Sequence, residues 1–341
     1  MPERANPVLA RVFRGDLVES LHRGAYAVVR DGRLVRSRGD VRASVFLRSA
    51  AKPFQAIAAL AGGVAERFSL APEEIAILAG SHSGEAAHVR AVRSLLRKGG
   101  LRAADLRCGT HEPFDAKAAA ALRRRGTEPD VRHNNCSGKH AGMLLLARAL
   151  GAPTGGYLDP AHPVQRAILR SLAAFSGIDA ARIAIAVDGC SAPTFAIPLV
   201  ALARAFERLV APGTGVPSDL ARAAKRLRAA VAAHPLQIAG SGRVCTELVT
   251  AAPRDLFPKS GAEGVYAIGV GGRGKGAAGI AIKVDDGAAR GYRPLLPALI
   301  ESTRLLPLAT LARVRRRAVK KSDTIVFNHA RAAVGRVEAR P

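Results

Sequence analysis

Four short segments of this 341-residue chain carry residue types at spacings that could do covalent or metal chemistry. Arg48-Ser49-Ala50-Ala51-Lys52-Pro53 contains S-x-x-K. At a helix start, positions i and i+3 share a face, so the Lys52 amine can reach the Ser49 hydroxyl. A lysine held out of water loses its proton easily and can act as base towards serine. The same spacing equally suits a capping serine followed by a surface lysine. Gly80-Ser81-His82-Ser83-Gly84-Glu85 is a tight turn after the apolar run 75–79. There Ser83 is placed to cap the next helix, and Ser81 is delivered by a buried element as site residues often are. His133-Asn134-Asn135-Cys136-Ser137-Gly138-Lys139-His140 puts Cys136 and Lys139 three apart on a helix start. Val187-Asp188-Gly189-Cys190-Ser191 then puts Asp188 and Cys190 on the same side of a strand end. Two sulfurs, an amine and a carboxylate suit a soft metal such as zinc; small buried hydrophobes are the other reading of these cysteines.

Two further segments need context. Lys259-Ser260-Gly261 precedes a strand and resembles the K-T-G element that accompanies S-x-x-K in penicillin-recognising serine hydrolases; a solvated turn lysine is the alternative. The S-D-N element of that set has no match, which counts against a lactamase. The run 269–276, GVGGRGKG, matches G-x-G-x-x-G and almost a P-loop. Both motifs need a helix after the run. Here a β-branched stretch follows, so a glycine-rich hairpin connection is expected.

The elements that must position these residues are legible in outline. Residues 25–30, Asp31-Gly32 and 33–36 read as a hairpin with a type I′ turn. Helices are expected over 85–98, 163–175 and 220–233, each ended by Gly or Pro, and an apolar helix over 143–150. Residues 182–187 read as one short buried strand, and strands return over 264–270 and 276–284. Beyond 287 a short helix (297–306) and a last strand (324–327) are expected. Strands at both ends with helices between give an α+β fold, its terminal strands sharing an antiparallel sheet around a helical middle region.

Composition narrows the function classes. Hydrophobic residues make up 48% and charged ones 23%, which argues for a packed core rather than disorder. No apolar run reaches the ~18 residues needed to span a bilayer, and the N-terminal residues show no secretory pattern; no membrane association and a cytoplasmic location are expected. Lys plus Arg number 52 against 27 Asp plus Glu, a net charge of +25. Such an excess invites a nucleic-acid reading. Trp is absent and aromatics are 4%, so stacking platforms are scarce. The basic residues are scattered, concentrating only at Arg313, Arg315, Arg316, Arg317, Lys320 and Lys321, so a solvated basic face is preferred to nucleic acid as a partner. The four cysteines (108, 136, 190, 245) form no C-x-x-C pair.

Together, 48–55, 81–85, 133–140, 187–193 and 259–264 resemble, in order, the rhizobial-type (class 3) L-asparaginases of the asparaginase II or thermolabile asparaginase family. The resemblance runs from about residue 15 to 290. It implies a serine β-lactamase/glutaminase-like fold and hydrolysis of L-asparagine to L-aspartate and ammonia. It implies two Ser–Lys tandems, Ser49 with Lys52 and Ser81 with Lys259. It further implies one zinc ion per chain on Cys136, Lys139 and Cys190, with Asp188 near the zinc-bound water. Arg48, Asn135, Asp188 and Glu263 would bind substrate, Cys245 and His140 would lie beside the site, and the protein would be a homodimer. The chain is expected to be a single asparaginase domain (1–341), with 291–341 a basic extension. The rival readings are a glutaminase or other amidohydrolase on the same scaffold, and a basic nucleic-acid binder on a hydrolase scaffold that has lost its chemistry.

Overall fold

The computed structural model describes residues 5–341 apart from Arg273 and Lys275. Among the described residues the strands are β1 (Val8–Arg14), β2 (Leu17–Arg30), β3 (Arg33–Arg38), β4 (Ser44–Phe46), β5 (Ala184–Val187), β6 (Pro193–Pro198), β7 (Leu256–Ser260), β8 (Val265–Gly272), β9 (Gly276–Val284), β10 (Ile325–Phe327) and β11 (Ala333–Ala339). The chain forms two compact units that interleave in sequence. The first unit takes the described residues up to Ala50, then Ala196–Ala211 and Asp255–Pro341; the second takes Ala51–Phe195 and Pro212–Arg254.

The first unit is an antiparallel sheet in the order β10-β11-β1-β2-β9-β8-β7, with β3 also paired to β2. The Asp31-Gly32 turn has φ of 51° and 75° at its two residues, the left-handed pair a type I′ hairpin requires. Ala25 to Val29 are all buried, so this stretch of β2 is covered on both faces and needs no polar alternation. The helix Leu199–Val210 packs on β2, β8 and β9. It does so through Leu199, Leu202, Ala203, Phe206, Leu209 and Val210, an apolar stripe at helical spacing. Each large side chain so buried is worth about 1.5–3 kcal/mol. Tyr266 of β8 packs its ring 4.9 Å from that of Tyr292.

The glycine-rich run behaves as a hairpin connection: Gly272 ends β8 opposite Gly276 at the start of β9. Arg273 and Lys275 of that run lie outside the described residues. The C-terminal part is richer than its sequence suggests. The expected helix spans Leu296–Ser302 only, because Pro307 opens a second helix, Leu308–Ala318. That helix buries Leu311, Val314 and Ala318 and turns Arg313, Arg315, Arg316 and Arg317 outwards. β10 falls where a last strand is expected, but β11 follows it and pairs with β1, Ala10 opposite Ala339.

The second unit is helical. The helices Lys52–Ala61 and Ser137–Ala149 are its buried centre, with every residue of 52–60 and of 137–147 buried. Around them lie Pro72–Leu78, Ala86–Lys98, Pro163–Ser176 and Ser218–Ala233. Phe54 and Phe175 meet with ring centroids 5.5 Å apart. The strand expected over 182–187 is present as β5 but is not buried: Ile185 is 41% and Val187 79% exposed. An apolar run reports strand propensity and not which side is covered. Among the described residues no helix is long and apolar enough to cross a membrane.

Candidate active site

Lys52, at the first turn of its helix, is 1% exposed, so the surface-lysine reading of S-x-x-K fails. Its Nζ donates to the carbonyl of Gly80 at 2.8 Å, to Ser81 Oγ at 3.0 Å and to the carbonyl of Asn135 at 3.1 Å. Burial pushes the amine below its ordinary value; the Cys136 thiolate works against that shift and the Lys139 ammonium adds to it. Ser81 is fixed through its backbone, whose N–H donates to Ile238 O at 2.9 Å. Ser83 is not the helix cap either. Glu85 occupies the cap position, its N–H donating to His88 Nδ1, while Ser83 Oγ donates to Ala239 O at 2.9 Å.

His82, between the two serines, accepts the Gly84 N–H at Nδ1, which leaves Nε2–H to donate to Ser137 Oγ at 2.9 Å. Ser137 in turn donates to Arg132 O at 2.8 Å. His82 stacks on His88 with centroids 5.0 Å apart, and burial holds both imidazoles below their ordinary value. The two rings are therefore neutral fixtures rather than charges.

Cys136, Lys139 and Cys190 converge beside this group. Asn134 fixes the entry to the helix: its Oδ1 accepts the Cys136 N–H at 2.8 Å, and its Nδ2 donates to the carbonyls of Cys108 and Gly109 at 2.9 and 3.1 Å. Gly138 lets the helix press on its neighbour, because a Cβ there would stand 2.6 Å from Ile77 O. Lys139 Nζ donates to Cys190 Sγ at 2.9 Å, and Cys190 Sγ lies 3.6 Å from Asp188 Oδ2. A hydrogen bond from Cys190, with the Lys52 and Lys139 ammonium groups, holds the Cys136 thiol well below its usual value against the opposing effect of burial; Cys190 is pushed up. All four cysteines are buried thiols outside any disulfide. His140, also buried, receives at Nδ1 the hydroxyl proton of Tyr157 across 2.7 Å, since Tyr157 Oη already accepts the Arg107 N–H. Cys245 is buried in the helix Val244–Ala251.

In the first unit, Lys259 is not a turn lysine. It sits in β7, the edge strand beside β8, is fully buried, and donates to Ser260 O at 2.9 Å. Gly261 presses on the segment that carries Ser49, for a Cβ on it would lie 2.7 Å from Leu47 O. Arg48 and Glu263 form an ion pair at 4.0 Å, both with left-handed backbone at φ 49° and 56°. Ser49 lies in a 3-10 turn, Arg48–Ala51, and Ala51 rather than Ser49 takes the cap position of the following helix.

Residues 10–339 match the family described as L-asparaginase II. The chain belongs to the L-asparaginase II family. Membership carries the coarse class, an amidohydrolase, and its span exceeds the 15–290 over which the motifs resemble that family, since most of β1 and all of β11 fall inside it. No curated protein matches the chain. Among solved structures it is similar to a β-lactamase from Mycobacterium bovis (17% identity, 82% of this chain and 93% of the other, TM-score 0.42). It is likewise similar to a Bacillus glutaminase (14% identity, 83% and 91%, TM-score 0.39).

For this L-asparaginase II family member, the second unit gathers Lys52, Ser81 and Asn135 at one point and Lys139, Cys190 and Asp188 at another. The first unit gathers Arg48 with Glu263, and Gly261 of the Lys259 segment with Leu47. The contact made by Lys52 is thus with Ser81, a pairing that local spacing does not reveal. Asn134 and His111 escape sequence reasoning. Asn134 carried a signal, an Asn two residues before a helix-entry cysteine; His111 carried none. Among the described residues no group of three His, Cys, Asp or Glu gathers as a metal site.

Proposed function

We propose that the chain hydrolyses L-asparagine to L-aspartate and ammonia. The observation that carries this reading is a fully buried lysine, Lys52, 3.0 Å from the Ser81 hydroxyl and 3.1 Å from the Asn135 carbonyl, in a chain of this family. Amide hydrolysis needs a nucleophile, a base for its proton and an acid for the leaving ammonia. A lysine whose amine is neutral before attack and protonated afterwards serves as both. In this reading Ser49 attacks the side-chain carbonyl, Lys52 takes its proton, and Ser81 relays it to the departing nitrogen. Lys259 supplies a second ammonium for Ser81, and Arg48, Asn135, Asp188 and Glu263 bind the substrate's amino-acid head group.

Cys136, Lys139 and Cys190, with Asp188 beside them, would hold one zinc ion. Two thiols, an amine and a carboxylate fit that ion's preference for sulfur and nitrogen. When bound, it supplies a positive contact that orients the substrate's charged groups. Cys245 and His140 line the surroundings of this cluster. The protein works as a cytoplasmic homodimer with L-asparagine as its partner molecule, and its basic charge is a solvated surface. Ammonia release from L-asparagine and L-glutamine, assayed side by side, tests the reading. Turnover of L-asparagine is expected, faster turnover of L-glutamine would make the protein a glutaminase, and turnover of neither would overturn the proposal.

A further inference from the structure

His111 sits outside every motif considered so far, yet one of its ring nitrogens reaches the centre of the site. Its Nδ1 lies 2.6 Å from the carbonyl of Glu112, which fixes the proton on Nδ1 and leaves Nε2 as an acceptor. That Nε2 receives the backbone N–H of Asn135 at 3.0 Å; the Asn135 Oδ1, itself an acceptor, lies 3.2 Å from the same nitrogen and takes no proton from it. The Asn135 carbonyl accepts from Lys52 Nζ at 3.1 Å. The ring is held from its other side. It stacks on Phe114 (centroids 4.6 Å, interplanar angle 13°), and the Arg243 guanidinium lies 6.0 Å over that same phenylalanine. Phe114 is 57% exposed, an aromatic placed at the surface to hold a histidine flat rather than to fill a core.

We propose that His111 is a positioning residue for amide hydrolysis, acting through Asn135 on Lys52; this rests on the function proposed above. One imidazole nitrogen holds the Asn135 backbone through its N–H, and so fixes where the lysine amine finds its third acceptor. Without that nitrogen the Asn135 N–H loses its partner, the segment rotates to find another, and the Lys52 carbonyl acceptor moves with it.

The test separates the nitrogen from the ring. His111→Phe keeps a ring on Phe114 and removes the acceptor; His111→Asn removes it with a smaller polar side chain; His111→Gln returns an acceptor oxygen to the Nε2 position. For L-asparagine, kcat is expected to fall about ten- to hundredfold in the Phe and Asn variants, with KM changed less than about twofold, and to recover in the Gln variant. The Lys52 amine resonance, followed by 15N NMR of lysine-labelled protein and assigned with Lys52→Met, is expected to shift in the Phe and Asn variants and to stay in place in the Gln variant. Unchanged kcat with an unmoved Lys52 resonance in a folded Phe or Asn variant overturns the proposal, as does a Gln variant as impaired as the other two. If the wild-type protein hydrolyses neither amide, the functional reading falls by itself, and the Lys52 resonance alone decides whether His111 positions the lysine.

Discussion

Lys139 and Cys190 share a hydrogen bond 2.9 Å long between amine and sulfur, so the groups proposed to bind zinc hold protons that the ion must displace. Zinc binding should therefore release protons, and affinity should weaken as pH falls, because amine and thiols bind metal only when deprotonated. Elemental analysis of protein purified without chelator should give about one zinc per chain. Cys136→Ala and Cys190→Ala should each abolish that zinc and weaken L-asparagine binding more than they slow the chemistry. A protein that stays metal-free after zinc addition, with undiminished affinity for asparagine, would return the cysteines to the role of buried hydrophobes.

Ser49→Ala and Lys52→Met should each remove L-asparagine turnover while the fold survives, with losses of about 10²–10⁴ in rate for the base alone. Ser81→Ala should also be slow, since its hydroxyl is the one hydrogen-bonded to Lys52. Near-normal turnover by folded Ser49→Ala, with Ser81→Ala inactive, would move the nucleophile to Ser81.

His82 and His88 are buried and held below their ordinary value of 6.5. The unfolded chain then binds protons that the folded chain refuses, so stability is full above about pH 6.5 and is lost as pH falls from there towards the depressed folded values. Thermal melts between pH 7.5 and 5 should show a falling Tm, and His88→Leu should flatten that slope. An equal slope in the variant would assign the acid sensitivity to other groups.

The basic excess predicts weak binding to DNA that collapses with salt, because phosphate contacts release counterions. Affinity in a fluorescence titration should fall at least about tenfold between low and physiological salt. Sequence-selective binding that survives physiological salt would revive the nucleic-acid reading.

Much of this was legible in the sequence where local rules govern. Asp31-Gly32 announces its turn through φ preference, and Gly177 and Pro235 mark helix ends through backbone chemistry. The family resemblance rested on short polar stretches; those that carry Ser81 and Asn135 meet at Lys52, and those that carry Lys139 and Asp188 meet at Cys190. What stayed hidden depends on distant partners. The charged, short β11 declares itself only through pairing with β1, the exposure of Ile185 depends on what covers β5, and the hold of His111 on Asn135 spans a loop with no pattern of its own.

The interleaving of the two units has a consequence for synthesis. Gly24 of β2 pairs with Val284 of β9, so at about 5–20 residues per second the ribosome needs roughly 10–50 s to deliver the partner. During that interval the whole of 51–254 emerges, all of it belonging to the helical unit except 196–211, which belongs to the first. The helical unit can gather around Lys52–Ala61 first, while the apolar stretch Ala25–Val29, with β3 on one side, waits with its β9 edge open. A nascent chain stalled before β9 therefore presents one unpaired strand edge, and this protein's exposure to aggregation is concentrated there until β9 is made.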